Sequence, residues 1–252
     1  MAVETERARR PERVPLTWRV PEGAQPRAVE ILGIDSRKTL SPISGDVRVE
    51  WLGQPVTSRA PLGVESEAAT SVVPPRAYWI PAAWRAVIAK LDLHGIPYER
   101  VAEPRDADVT MYRLGDPQYA TPQFEGHVRV TATATPERRR ERFPAGSVRV
   151  PTNQPLGTLA VLLLEPSSPD SLFQWGFLDS ILSPTEYVEE YIMEPMAERM
   201  LAEDPKRAEE FREKVESDAD FRADPRARLR WFYQRTPFYD ERARLYPIAR
   251  EE

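Results

Sequence analysis

Twenty-six prolines divide this chain into short segments, and their placement decides which segments can be strand and which can be helix. Over residues 1–75, proline and glycine separate stretches that alternate apolar and polar side chains: 16–20 (LTWRV), 28–34 (AVEILGI) and 47–52 (VRVEWL). Alternation of this kind marks half-buried strands. The turns expected between them are Ser44-Gly45-Asp46 and Gly53-Gln54-Pro55. Residues 1–75 therefore read as an N-terminal antiparallel β unit with an exposed face.

From Arg76 the pattern changes. Tyr78-Trp79-Ile80 forms a short strand stopped by Pro81, which opens a helix to about Leu93. Trp84, Val87, Ile88 and Leu91 share one face of that helix and Gly95 caps its end. Strands follow at 97–101, 109–114, 127–134 and 147–150. The first of these completes a βαβ-like unit. Residues 156–164 are apolar on every side, and periodicity alone leaves a buried helix and a central strand both open, although the flanking Pro155 and Pro166 suit a short helix. Thr185 or Ser183 caps a helix through Leu201, with Tyr187, Tyr191 and Met200 facing the core. Asp204-Pro205 and Asp224-Pro225 each start a further helix, as an N-cap residue followed by proline at the first helical position. The expectation is an α+β fold: a β-rich unit over 1–75, then an α+β domain over 76–252 with a mixed sheet, packed helices and a helical C-terminal half.

The chemistry available is narrow. There is no cysteine and there are two histidines, His94 and His127, which removes thiolate nucleophiles, disulfides and cysteine-ligated metals. His94 is separated from Glu99 by Gly95 and Pro97, so the two cannot share a helical face; His127, read as strand, would point away from its neighbour Glu125. No metal site is expected in this chain. No Gly-x-Ser-x-Gly elbow and no phosphate-binding glycine loop occurs. With 40 acidic against 35 basic side chains, no nucleic-acid partner is expected, and no apolar run reaches the length of a membrane span. The first ten residues, MAVETERARR, lack the apolar core of a secretory signal. The compartment expected is cytoplasmic for the chain as written, or extracytoplasmic if it derives from a secreted precursor.

Two stretches remain as candidate sites. Residues 148–176 join a strand, a polar corner (Thr152, Asn153, Gln154), the apolar segment and a second corner ending at Trp175. Asn153, Gln154 and Trp175 are the ligand-binding candidates, for a peptide or a carbohydrate. His127, Arg149, Glu165 and Asp170 are the catalytic candidates, should the chain be a stand-alone hydrolase working with carboxylate and polar groups. Residues 229–247 (LRWFYQRTPFYDERARLYP) carry aromatics among arginines, which suits stacking onto the chain's own domain or onto a partner.

Several long segments resemble a known family: AYWIPAAWRAVIAKLDLHGI, GSVRVPTNQPLGTLAVLLLEPSSPDSLFQWGFLDSIL, TEYVEEYIMEPMAERMLAEDP and RLRWFYQRTPFYDERARLYPI, preceded by VPLTWRVP and AVEILGIDSRKTLSPISGDVRVEW. They look like the C-terminal region of large bacterial zinc carboxypeptidases, relatives of carboxypeptidase A, from about residue 13 to 249. The resemblance implies a peptidase that removes C-terminal residues with a zinc-bound water, its metal held by a His-x-x-Glu pair and a distant histidine. Those motifs are not in this chain, and the resemblance puts them, and the zinc, in an upstream catalytic domain. It implies for this chain a non-catalytic accessory region supporting the fold of that domain or access to its substrate.

Overall fold

The computed structural model describes residues 10–183 and 188–252. It has an α+β fold, divided into two compact units, residues 11–74 and a larger one containing residues 75–252.

The smaller unit is a nested hairpin. Strands β1 (Val14–Arg19) and β4 (Glu67–Val72) pair antiparallel at its base, Val14 opposite Val72 and Arg19 opposite Glu67. Between them, β2 (Arg27–Leu40) and β3 (Val47–Leu62) form a long antiparallel ribbon. Ser41, Gly45 and Asp46 close its tip, where the Gly45 N–H donates to the Ser41 carbonyl at 3.0 Å and Gly45 takes a φ of 70°. The turn expected at Gly53-Gln54-Pro55 is not a turn. It lies inside β3 as a bulge, with Pro55 opposite Ile34 and Trp51 opposite Ser36. Glycine at a φ of 69° accommodates the extra residues without ending the strand.

The larger unit is built on a six-stranded sheet in the order β6-β9-β5-β10-β7-β8: β5 (Ala77–Ile80), β6 (Glu99–Arg100), β7 (Arg105–Tyr119), β8 (Val130–Phe143), β9 (Val148–Pro151) and β10 (Ala249–Glu251). Helix α1 (Arg85–Leu93) joins β5 to β6, but β9 lies between those two strands and pairs antiparallel with both. The expected mixed sheet is thus antiparallel at every described pairing. Val87, Ile88 and Leu91 are buried as expected; Trp84 sits at the N-cap of α1 and is half-buried, because the chain turns after Pro81 and enters the helix only at Arg85. Against one face of the sheet, Trp79, Val109, Met111, Phe143, Leu245 and Ala249 form a core, Trp79 stacking on Phe143 at 4.9 Å.

The apolar segment is a helix, α2 (Gly157–Leu164), buried along most of its length. Gly157 is required there: a Cβ would stand 1.9 Å from the Thr152 carbonyl oxygen. The remaining helices are α3 (Glu190–Glu203), α4 (Pro205–Ser217), α5 (Ala219–Ala223) and α6 (Pro225–Tyr233). Asp204 and Asp224 cap α4 and α6 as expected; Asp218 caps α5, which sequence reading missed. Met193, Ala197, Phe221, Trp231 and Phe232 form the core of this group, with Phe211 and Met200 packed against it. Tyr191, expected in that core, is exposed: the helix begins at Glu190 rather than near residue 185, which turns Met193 and Ala197 inward instead. Ser183 follows a 3-10 turn and is not the cap of α3, whose N-cap is Glu189; Thr185 and Tyr187 lie outside the described residues.

Candidate functional site

The short strand β10 gathers the buried charged groups of the larger unit, Glu165 and Arg250, because it lies between β5 and β7 and successive side chains point to opposite faces. Arg250 stands opposite Tyr78 of β5 and Thr110 of β7, and Tyr112 lies two residues on from Thr110. Glu251 points to the other face, where Trp79 and Arg149 lie. Each face carries one network.

On the first face, Glu165, the residue after α2, is brought against the sheet. Its Oε1 accepts from the Tyr78 hydroxyl at 2.6 Å and from Arg250 Nη1 at 2.6 Å. Arg250 Nη1 also donates to the Tyr112 hydroxyl at 3.0 Å, and the Tyr246 hydroxyl donates to the Leu164 carbonyl at 2.8 Å. Glu165 is 1% exposed and Arg250 6%. Burial pushes the Glu165 carboxyl above its ordinary value, against the opposing pull of Arg250 and the two tyrosines. Arg250 is driven further into its charged form by Glu165, although burial acts the other way. Burial, then the nearby Glu165 charge, lifts the Tyr112 phenol to about 12 and those of Tyr78 and Tyr246 well above 10. The carboxylate, the guanidinium and the phenols of Tyr78 and Tyr112 hold one another, and Glu165 itself is closed off from solvent.

On the second face, Arg149 of β9 makes a two-pronged pair with Glu251, Nε to Oε2 at 2.8 Å and Nη2 to Oε1 at 2.9 Å. The Trp79 indole donates to Glu251 at 2.8 Å, and Arg149 reaches Glu99 of β6 at 3.3 Å. The hydrogen bonds from Arg149 hold Glu251 below the usual carboxylate range despite partial burial. Beside this network a concavity of about 260 Å³ is lined by Trp79, Glu99, Arg100, Glu103, Arg105 and Arg149, with Arg105 5.3 Å over the Trp79 ring.

A third cluster lies at the surface. His127 occupies a tight turn closed by Phe124–His127 backbone bonds, not the strand expected there; β8 starts at Val130 because Gly126, at a φ of 78°, reverses the chain first. Its ring meets the edge of Trp175 at 5.6 Å and stacks on Phe177 at 6.0 Å; Phe124 lies 6.0 Å from Trp175, and Arg129 sits 5.2 Å over the Trp175 ring. Close by, a Cβ on Gly176 would stand 3.2 Å from Asp179 Oδ2, and Asp179 Oδ1 is buried with no hydrogen-bond partner among the described residues. Desolvation raises the Asp179 carboxyl.

The candidates read from sequence therefore fall in separate places. Glu165 belongs to the buried network, Arg149 to the opposite face of the sheet, and His127 and Trp175 to the surface aromatic cluster. Asp170 and Asn153 are exposed. The Gln154 amide nitrogen is taken up by the backbone, donating to the carbonyls of Pro97 at 2.9 Å and Pro151 at 2.6 Å, while its buried Oε1 has no hydrogen-bond partner among the described residues. Among the described residues, no three His, Asp or Glu side chains converge on one point. His94 caps the C-terminus of α1, exposed. Sequence reasoning missed Tyr78, Tyr112, Tyr246, Arg250, Glu251 and Glu99. The signal was present in the C-terminal segment, where an arginine directly follows the apolar Ile248-Ala249.

These groups define an α+β domain stitched together by ion pairs on both faces of its sheet. About two fifths of the chain is similar in sequence to fungal carboxypeptidases. It is 31% identical over 104 residues to carboxypeptidase 2 of Trichophyton tonsurans and 35% identical over 109 residues to that of Trichophyton equinum, in each case 41% of this chain and 19% of the relative. A probable carboxypeptidase 2 of Arthroderma benhamiae is 34% identical over 112 residues, 42% of this chain and 20% of the relative. The chain thus spans about a fifth of the length of the curated relatives it matches. No family model and no solved structure matches it.

Proposed function

We propose that this chain is a non-catalytic accessory region that accompanies a zinc-carboxypeptidase-like peptidase, supporting its fold or shaping access to its substrate. The observation that carries the reading is the consumption of the chain's best chemical groups by the fold. Glu165 and Arg149, the two catalytic candidates with the strongest ionic partners, are each satisfied within the sheet by residues of β10. A buried carboxylate held by Tyr78 and Arg250 is a structural element before it is a general base. The likeness to carboxypeptidase 2 over about a fifth of those proteins supplies the peptidase connection. Zinc, in this reading, belongs to the peptidase part: the histidines described here stand apart, one capping a helix and one in a surface turn, and do not fit a metal.

The test is turnover by the purified chain on C-terminal peptide, ester and glycoside substrates, with added zinc and with a chelator. The expected result is no turnover in either condition. Turnover that a chelator abolishes, or that His127→Ala or Asp170→Ala removes, would overturn the reading.

A second reading, a peptide- or carbohydrate-binding surface, is favoured by one observation: Trp175, His127 and Phe177 meet at the surface with Phe124, a residue 53% exposed. Flat sugar faces and peptide side chains stack on such rings. Titrating short peptides or oligosaccharides should then shift tryptophan fluorescence in the chain and not in Trp175→Ala.

A further inference from the structure

The concavity beside Arg149 carries charges that the fold does not use. Its lining includes two acids, Glu99 and Glu103, and two guanidiniums that face it, those of Arg105 and Arg149. The Arg100 guanidinium is engaged elsewhere, by the Gly146 carbonyl at 3.0 Å and the Tyr98 hydroxyl at 3.1 Å. Its register opposite Val148 turns it to the other face of the sheet from Glu99 and Arg149. Arg105 and Glu103 are exposed and have no ionic partner among the described residues; Arg105 makes its contact over the Trp79 ring at 5.3 Å. Only Pro104, its φ fixed by the ring, separates the two, yet they do not pair with each other. Arg149 is held more firmly from behind than from the concavity: 2.8 and 2.9 Å to Glu251, against 3.3 and 3.4 Å to Glu99, whose side chain is 63% exposed. Arg76 adds its own attraction on Glu251, so cations and anions balance around the hollow.

We propose that this concavity binds a free α-amino acid with an apolar side chain, its carboxylate on Arg105 and the outer edge of Arg149, its ammonium on Glu103 and Glu99. Three observations select that ligand. The first is sign. A ligand of one charge would be drawn to one pair and repelled by the other, whereas a molecule that carries both charges a few bonds apart satisfies both pairs. The second is size. At about 260 Å³ the hollow is smaller than the roughly 300–1,000 Å³ that drug-sized ligands occupy, and it suits a molecule of amino-acid dimensions. The third is the wall. Val101 and Ala102 line the hollow between β6 and β7, so the side chain of the ligand meets apolar groups. The two guanidiniums are also set in advance, Arg149 by its two bonds to Glu251 and Arg105 by the Trp79 ring, which lowers the ordering cost of binding a carboxylate. This site does not depend on the accessory role proposed above.

The test is titration calorimetry on the full chain at neutral pH with three probes of one shape: L-leucine, isocaproate, which lacks the ammonium, and isopentylamine, which lacks the carboxylate. Leucine is expected to bind at millimolar concentration. Each single-charge analogue is expected to bind at least ~10-fold more weakly, the effect of losing one charge-assisted hydrogen bond. Arg105→Gln and Glu103→Gln, both at exposed positions outside the networks that hold the sheet, should each weaken leucine by a similar factor with an unchanged circular dichroism spectrum. In Glu103→Gln, isocaproate should gain on leucine, because one of the two acids that repel it is gone. Arg138→Gln, on the opposite face of the sheet from Glu251, should leave leucine binding as it was. No binding of leucine, isocaproate or isopentylamine bound as tightly as leucine by the parent chain, or leucine binding indifferent to both Arg105→Gln and Glu103→Gln would overturn the proposal.

Discussion

Glu251, in β10, and Glu165, at the end of α2, are shifted in opposite senses, which makes their contributions separable. Arg149 holds the Glu251 carboxyl below its ordinary value, so its contribution to stability is present above that value and is lost as pH falls through the depressed native one. Burial raises Glu165, so the contribution of its protonated form is present below the ordinary value and lost as pH rises through the raised native one. Urea midpoints measured from about pH 7 to about pH 3, spanning the normal glutamate pKa near 4.3, should fall steeply at the acid end for the parent chain. Arg149→Met should be less stable at neutral pH, show a flatter acid limb, and converge with the parent at the lowest pH. Gly157 gives a second test at this scale. Gly157→Ala places a methyl against the Thr152 carbonyl and should lower stability by about 1–3 kcal/mol in the same assay.

The helices of the C-terminal group show how element boundaries are set by single residues. Asp204, Asp218 and Asp224 each accept backbone N–H groups at a helix start, Asp204 from Lys206 and Arg207, Asp218 from Phe221, Asp224 from Arg226 and Ala227. Replacing any one with alanine should cost about 0.5–2 kcal/mol, seen as a lower thermal midpoint by circular dichroism, and restoration by asparagine or serine would identify capping as the cause. The Asp-Pro starts were legible in the sequence because the cap chemistry is local. So were β5, α1 and the strand character of residues 28–34 and 47–52, which rest on short-range alternation or helical spacing. What was not legible depended on distant partners. Gly53 and Pro55 look like a turn in isolation and become a bulge only because β2 continues opposite them. The apolar segment 156–164 could be settled as α2 only by the surroundings that bury it. Of the candidate site, Glu165 and Arg149 were visible as ionisable residues in an unusual setting, but their partners come from residues 250 and 251, some 85 and 102 positions away along the chain.

Those long-range pairs set the architecture of the larger unit. The last strand is three residues long, too short to hold its place by backbone pairing alone, and it lies in the middle of the sheet. Arg250 anchors it to the end of α2 and Glu251 anchors it to β9, so the C-terminal segment closes the sheet from both faces. Pro247 and Ile248 lead into it from Tyr246, whose hydroxyl is fixed to the end of the same helix. This is a role that charged residues fill without any substrate, and it explains why the groups with the most perturbed ionisation are also among the least accessible.

A double-mutant cycle on Glu165 and Arg250, read as unfolding free energy in urea, tests that claim most directly. Glu165→Gln and Arg250→Met should each destabilise the chain by about 3–5 kcal/mol, because each leaves one buried charge unpaired. The double variant removes both charges, keeps an acceptor for Tyr78, and should recover most of the loss. Single variants within about 0.5 kcal/mol of the parent, or a double variant whose loss is the plain sum of the two, would contradict an ion pair that closes the fold.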